Sequence, residues 1–252
     1  MLVRSRLNQV AQQKGLRPST VLGYQRLLTR LGLMDLTVEE VTEESVQDAI
    51  WALHNPNVRR SAIVALRSVL GLNLRVPRGV PRRYPAVDED TLRLALMTCR
   101  KYEIRGLLML YCGLRLGESC AITRTDIDGN RLHVTRQVIE LWGPHGTTSV
   151  RLGPVKTGEG VIGIPTFLAE RVNDVEHQDK PSNVREGLLR AGRRVGIHLN
   201  PHSLRHACGT LLLDRGVPLP AVSKHLRHAD VSLTANVYYD SNPAEAVLKA
   251  WG

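Results

Sequence analysis

The sequence predicts a mainly α protein in two parts: an amino-terminal helical domain, then an α+β domain with a small three-stranded antiparallel sheet. Three observations predict it. Residues 1 to 75 carry four or five short helical periodicities and no convincing strand, residues 76 to 86 break every regular element, and strand character is confined to residues 131 to 165.

Taken in order, a first helix spans residues near 2 to 14 and stops at Lys14-Gly15. Pro18-Ser19-Thr20 starts a second through Val21, Tyr24, Leu28 and Leu31, and Thr42-Glu43-Glu44-Ser45 starts a third through Val46, Ile50 and Leu53. Asn55-Pro56 opens a fourth that runs to Gly71. Residues 76 to 86 hold three Pro and one Gly in eleven positions and read as the interdomain linker. Beyond it, Asp88-Glu89-Asp90 begins a helix, Ile104 to Cys112 forms an apolar one ending at Gly113, and Leu114 to Glu118 opens another. Leu132 to Thr135, Thr148 to Lys156 and Val161 to Pro165 read as strands, the last two joined by a hairpin turn at Thr157-Gly158-Glu159-Gly160. Helices are expected again at 166 to 176, 183 to 195, 202 to 215 with Gly216 as its cap, 218 to 227 and 231 to 240. A last one, from 241 to 252, carries an apolar stripe of Ala244, Val247, Leu248 and Trp251.

A chain of 252 residues with 42% hydrophobic residues is comfortable for two domains, and no apolar run is long enough to span a membrane. The first residues lack an apolar signal core, which argues against secretion. Cys99, Cys112, Cys120 and Cys208 show no metal-ligand spacing and read as reduced core residues, so a cytoplasmic location is expected. The formal charge of +10 points to a polyanionic partner, and its distribution sharpens the point. Residues 1 to 86 hold 13 Lys and Arg against 6 Asp and Glu, and residues 51 to 86 hold seven Arg with no carboxylate. Within that run Arg59, Arg60, Arg78, Arg82 and Arg83 are the candidates to track a nucleic-acid backbone.

The richest stretch is Pro201-His202-Ser203-Leu204-Arg205-His206. A helix starting near Pro201 puts His202, Arg205 and His206 at i, i+3 and i+4, a face suited to phosphate. Two His flanking an Arg repel a cation, and no carboxylate lies between them as in a zinc-hydrolase helix.

Four further patterns accompany it in order: Gly113-Leu114-Arg115-Leu116-Gly117-Glu118, Lys156 in Val155-Lys156-Thr157-Gly158, Leu226-Arg227-His228, and a closing Tyr. With these residues and spacings the sequence resembles the tyrosine recombinases of the phage-integrase type over nearly the whole chain. The resemblance implies a core-type DNA-binding domain at 1 to 75, resembling the family most at 14 to 28, and a catalytic domain at 87 to 240. The two would clamp the duplex from opposite faces through the 76 to 86 linker. It implies DNA cleavage and rejoining through a 3′-phosphotyrosine, without metal, nucleotide or other cofactor, for integration or excision of phage or mobile-element DNA in a bacterial host cell. Arg115 and Arg205 would bind the non-bridging oxygens of the phosphorane, for which forked guanidinium groups suit better than ammonium. Lys156 would protonate the 5′-oxygen, His202 would accept the tyrosine proton and His228 would donate to a phosphate oxygen.

Tyr238 and Tyr239 compete for the role of nucleophile. The commonest family spacing, nine residues after the His box, falls on Val237, which cannot react; a spacing of ten falls on Tyr238 and puts Thr234 in its usual place. Glu118 reads as a helix-orienting partner, His206 as a buried hydrogen-bonded residue, and His133 and His225 as structural or surface residues. Arg227 stands where the family usually has Gly, so either the turn avoids a positive φ or it carries strain; the guanidinium is also a candidate phosphate contact. The resemblance further implies double-stranded attachment sites and a homotetramer on DNA assembled by docking the 241 to 252 tail on a neighbouring protomer. An excisionase or other directionality factor is a further candidate partner. A first helix beginning almost at Met1 leaves no room for an arm-type DNA-binding domain, so short sites are expected. A type IB topoisomerase and a catalytically silent DNA-binding regulator remain as rivals. The apolar tail stripe speaks against the first, and the intact set Arg115, Lys156, His202, Arg205, His228 and Tyr238 against the second.

Overall fold

The computed structural model describes residues 1–80, 87–142 and 148–227, and the chain divides into two compact units, Met1–Arg83 and Tyr84–Gly252. The first unit is built from α1 (Val3–Gln13), α2 (Pro18–Arg30), α3 (Glu43–Trp51) and α4 (Pro56–Leu70). Each start has a local cause. Pro18 and Pro56 occupy first-turn positions that lack an intrahelical donor in any case. The Thr42 hydroxyl accepts from the Ser45 amide at 3.2 Å while the Ser45 hydroxyl accepts from the Thr42 amide at 2.9 Å. The Asn55 side chain accepts from the Asn57 and Val58 amides. The bundle closes over Val3, Leu7, Leu28, Val46, Ile50, Leu66 and Val69.

After α4 the chain runs extended toward the division between the units at Arg83 and Tyr84. Leu72, Leu74 and Val76 pack against this core. The Asn57 amide group donates to the Val80 carbonyl at 3.0 Å and its oxygen accepts from the Val80 amide at 3.1 Å, while Arg60 Nε donates to the Pro77 carbonyl at 3.1 Å. Residues 76 to 80 are therefore a strap on the first unit. Pro and Gly forbid helix there, but an extended segment whose backbone is bound by side chains satisfies their geometry.

The second unit contains α5 (Glu89–Cys99), α6 (Glu103–Cys112), α7 (Leu116–Ala121), β1 (Ile127–Asp128), β2 (Arg131–Val134), β3 (Arg136–Trp142), β4 (Thr148–Pro154), β5 (Gly160–Gly163), α8 (Thr166–Val172), α9 (Pro181–Arg194), α10 (Pro201–Asp214) and α11 (Leu219–His225). At the centre is α6, whose Leu107, Leu108, Met109, Leu110 and Cys112 are buried on all sides, as a helix apolar around its circumference must be. Leu96, Leu132, Leu168 and Leu188 from α5, β2, α8 and α9 complete that core.

The strands differ from expectation in their pairing. The three-stranded sheet has the order β1-β2-β5, whereas β3 and β4 form a separate antiparallel ribbon. Residues 136 to 142, not expected as strand, pair with β4 through seven positions from Arg136↔Pro154 to Trp142↔Thr148. The expected hairpin between the second and third strands does not exist: β5 pairs with β2, bringing Ile162 opposite Leu132 in the core. Residues 155 to 159 thus carry the chain from one sheet to the other, turning at Gly158 with φ +79°. Alternation identifies a strand but not its partner, and burial of Ile162 beside Leu132 decides the pairing here.

A buried cation, unremarked in the sequence reading, fixes the loops around α6. Arg105 is 2% exposed. Its Nε donates to Asp179 at 2.7 Å, Nη1 to the Ser119 and Ile122 carbonyls, and Nη2 to the His177 carbonyl, each of the last three at 2.6 Å. It thereby ties the end of α7 to the connection before α9. Arg105→Leu is expected to lower the free energy of unfolding by about 3–5 kcal/mol, because three carbonyls and a carboxylate lose their donors together. Urea denaturation checks this, and an unchanged midpoint would contradict it.

Candidate active site

The site is built on the turn between α6 and α7. Gly113 ends α6 in the left-handed region with φ +61°, and a Cβ there would lie 2.3 Å from Leu226 Cδ2. Gly117 in the first turn of α7 answers a second close approach: its Cβ would stand 2.8 Å from the Val138 carbonyl on β3. The two glycines of the Gly-Leu-Arg-x-Gly-Glu pattern therefore let α11 and the ribbon close on either side of Arg115.

Arg115 sits at the amino-terminal cap of α7 and Glu118 one turn on. The Glu118 carboxylate accepts the Arg115 amide at 2.8 Å and Arg115 Nη1 at 3.1 Å. Nη1 also donates to the Thr157 hydroxyl at 2.9 Å, which brings the turn carrying Lys156 to the arginine. Lys156 itself is exposed on that turn.

Arg205 projects from α10 and is 5% exposed. Its guanidinium donates to the Gly113 and Leu226 carbonyls. These bonds use two of its five N–H groups. Burial first, and then the neighbouring Arg115 charge, lower its pKa to about 10 despite Glu118, so it remains a cation at neutral pH. The Arg227 side chain is buried, and its Nη2 donates to Glu118 at 2.5 Å. Its backbone has φ +53°, so the turn keeps the left-handed conformation that a Gly would take without strain. Pairing with Glu118 is the role the structure gives this side chain, in place of the phosphate contact considered above.

Three guanidinium groups thus surround one buried carboxylate, an excess of positive charge that suits an anion. Burial alone would raise the Glu118 pKa, but Arg227, the Arg115 amide and the Arg115 charge outweigh it and hold the carboxyl below its ordinary value.

Asn200 caps α10 by accepting from the His202 and Ser203 amides, which places His202 exposed on the first turn, three residues before Arg205. His206 is half-buried and its pKa is lowered by that burial. His225 is bonded to the Tyr111 backbone, and burial followed by the Arg227 and Arg205 charges lowers its pKa. Arg115 and Arg205 are therefore brought together directly, Lys156 through its neighbour Thr157, and His202 through its helix. His228, Tyr238 and Tyr239 lie outside the described residues, as does the 241 to 252 tail. Of the backbone-tracking candidates, Arg59 is largely occupied within its own unit: Nη2 donates to the Trp51 and Leu53 carbonyls and the guanidinium stacks 4.4 Å from the Trp51 ring. Arg60 binds the Pro77 carbonyl, Arg78 is exposed, and Arg82 and Arg83 lie outside the described residues.

Residues 167–245 match the model of the phage integrase family. The chain is 28% identical to tyrosine recombinase XerA of Thermococcus kodakarensis over 64% of its own length and 58% of that protein's. It is 26% identical to tyrosine recombinase XerC of Alcanivorax borkumensis over 92% of its length and 87% of that protein's. The chain is thus similar to tyrosine recombinases. Its fold is that of the Tn1549 transposon integrase solved in complex with transposon right end DNA. That likeness has a TM-score of 0.72 at 15% identity and covers 99% of this chain and 98% of the other. The family segment contains Arg205 and begins beyond Arg115 and Lys156, which reach the site through the α6–α7 turn and the turn between the two sheets.

Glu118→Gln is expected to cost about 3–5 kcal/mol of stability by leaving buried guanidinium charge uncompensated. Because the folded-state pKa is depressed, the Glu118 contribution is complete above the ordinary value of 4.5 and is lost as pH falls through the folded-state value. Unfolding followed from neutral to acid pH should therefore fall less steeply in Glu118→Gln than in the wild type. Parallel curves would contradict the assignment.

Proposed function

We propose that the chain is a site-specific DNA recombinase that cuts and rejoins double-stranded attachment sites through a 3′-phosphotyrosine intermediate, integrating or excising phage or mobile-element DNA. The observation that carries this reading is the convergence of Arg115 and Arg205, which both engage the 226–227 turn, beside a turn that presents Lys156. An anion bound there meets two forked cations, and a phosphodiester passing through a phosphorane gains most from them where its charge is greatest.

In the proposed step the Tyr238 hydroxyl attacks phosphorus and the bond to the 5′-oxygen breaks. His202 takes the tyrosine proton, Lys156 delivers a proton to the leaving 5′-oxygen, and His228 donates a hydrogen bond to a non-bridging oxygen. A 5′-hydroxyl from the partner duplex then attacks the phosphotyrosine, so no external energy source is consumed. Exchange between two duplexes calls for four active sites, and we assign a homotetramer on DNA, linked through the apolar stripe of residues 244 to 251. The amino-terminal unit supplies core-site binding through Arg60, Arg78, Arg82 and Arg83, with Arg59 contributing beside its role in the bundle. A directionality factor would choose between integration and excision.

The test is a nicked suicide substrate from the element's own junctions, offered to the wild type and to Tyr238→Phe and Tyr239→Phe. The wild type and Tyr239→Phe should form a covalent protein–DNA adduct, and Tyr238→Phe none. Absence of adduct in the wild type would overturn the enzyme reading, and adduct in Tyr238→Phe would overturn the nucleophile. In the same assay Arg115→Ala and Arg205→Ala are each expected to slow adduct formation by about 10²- to 10³-fold, the scale of losing a preorganised donor to the transition state.

A further inference from the structure

The Arg227 side chain takes no part in the step proposed above, and its pairing with Glu118 has specific circumstances. Its backbone stands at φ +53°, which a side chain adopts only against steric resistance. The side chain is 7% exposed, and Nε and Nη1 are buried without a hydrogen-bond partner among the described residues. The Arg227 Cδ also crowds β5, lying 3.2 Å from where a Cβ on Gly160 would be. A strained, half-satisfied guanidinium kept inside a cationic cluster invites a functional explanation.

Glu118 supplies it. Oε2 accepts both the Arg115 amide at 2.8 Å and Arg227 Nη2 at 2.5 Å, whereas Oε1 accepts Arg115 Nη1 at 3.1 Å, so of the two guanidinium groups Arg227 stands nearer. Exposure is unequal in the same sense, 7% for Arg227 against 26% for Arg115. The tighter and more deeply buried partner is therefore Arg227. Were it absent, the only guanidinium among the described residues bonded to the buried carboxylate would be Arg115, and a carboxylate in a low-dielectric setting would draw Arg115 into a closed pair.

We propose that Arg227 is a positioning residue: it takes up the charge of Glu118 so that Arg115 stays available to the phosphodiester. This rests on the recombinase reading above. Arg227 touches no reacting atom; it acts through Glu118 and Arg115. The backbone carbonyls of Leu226 and Arg227, which accept from Arg205 and Arg115, do not depend on its side chain, so a substitution to Gly removes the guanidinium and leaves those acceptors in place.

The experiment measures, on the suicide substrate with the full chain, the single-turnover rate of adduct formation at saturating DNA and, separately, the Kd for DNA. Arg227→Gly is expected to slow adduct formation by about 10- to 100-fold, the scale of one charge-assisted hydrogen bond, with Kd within about threefold of wild type. Arg227→Lys should recover part of the rate. If Arg227→Gly fails to fold, Arg227→Gln removes the charge while keeping a donor to Glu118, and should be slow in the same way. A wild-type rate in either neutral variant, or a loss of rate matched by an equal loss of DNA affinity, overturns the proposal alone. A wild type that forms no adduct overturns the recombinase reading beneath it.

Discussion

The carboxylate of Glu118, fully buried, accepts the Arg115 amide and stands between the guanidinium groups of Arg115 and Arg227. Everything that gives the site its shape passes through this group. It closes the first turn of α7, which sets the direction of the Arg115 side chain, and it anchors the turn after α11, whose carbonyls receive both Arg205 and Arg115. A buried carboxylate is costly to desolvate, and only the cations around it make it tolerable. The reverse also holds, since three guanidinium groups this close repel one another unless a negative charge lies among them. The site is held together by a charge balance that is positive by design of its residues, and so it is receptive to an anion.

The fold serves that balance by bringing distant segments to one turn. Arg205 spans the helices: from α10 it binds the carbonyl that ends α6 and the carbonyl that ends α11, so one side chain fixes the approach of three elements. The apolar α6 provides the rigid floor, and Arg105 at its other end does for the loops what Arg205 does for the site. Thr157 adds the turn between the two sheets. Lys156, the proposed proton donor, is exposed on this turn and is tethered to the site through its neighbour.

Much of this was legible in the residues, and the reasons are local. Thr42, Asn55, Asp88 and Asn200 cap helices because their side chains reach amides two or three positions on, a rule that needs no tertiary information. Gly113 and Arg115 were legible as a pattern, although the reason for the glycines, Leu226 and the Val138 carbonyl close by, belongs to the packed state. Strand pairing was not legible: residues 148 to 154 and 160 to 163 adjoin in sequence, yet each finds its partner elsewhere, because partner choice depends on which apolar side chain the core accepts. Arg105 was missed since a lone Arg in an apolar helix reads as a surface residue until its carbonyl acceptors are known. The fate of Arg227 was left open between a relaxed turn and a strained one, and packing against Glu118 decided for strain.

In the proposed mechanism the scissile phosphate sits in the Arg115–Arg205 cluster. The most direct measurement is the structure of the Tyr238→Phe variant bound to an uncleaved attachment-site duplex. One phosphate is expected there with its non-bridging oxygens about 2.7–3.2 Å from guanidinium nitrogens of both Arg115 and Arg205. A duplex bound with the cluster empty of phosphate, and its backbone tracked only by other basic residues, would contradict it.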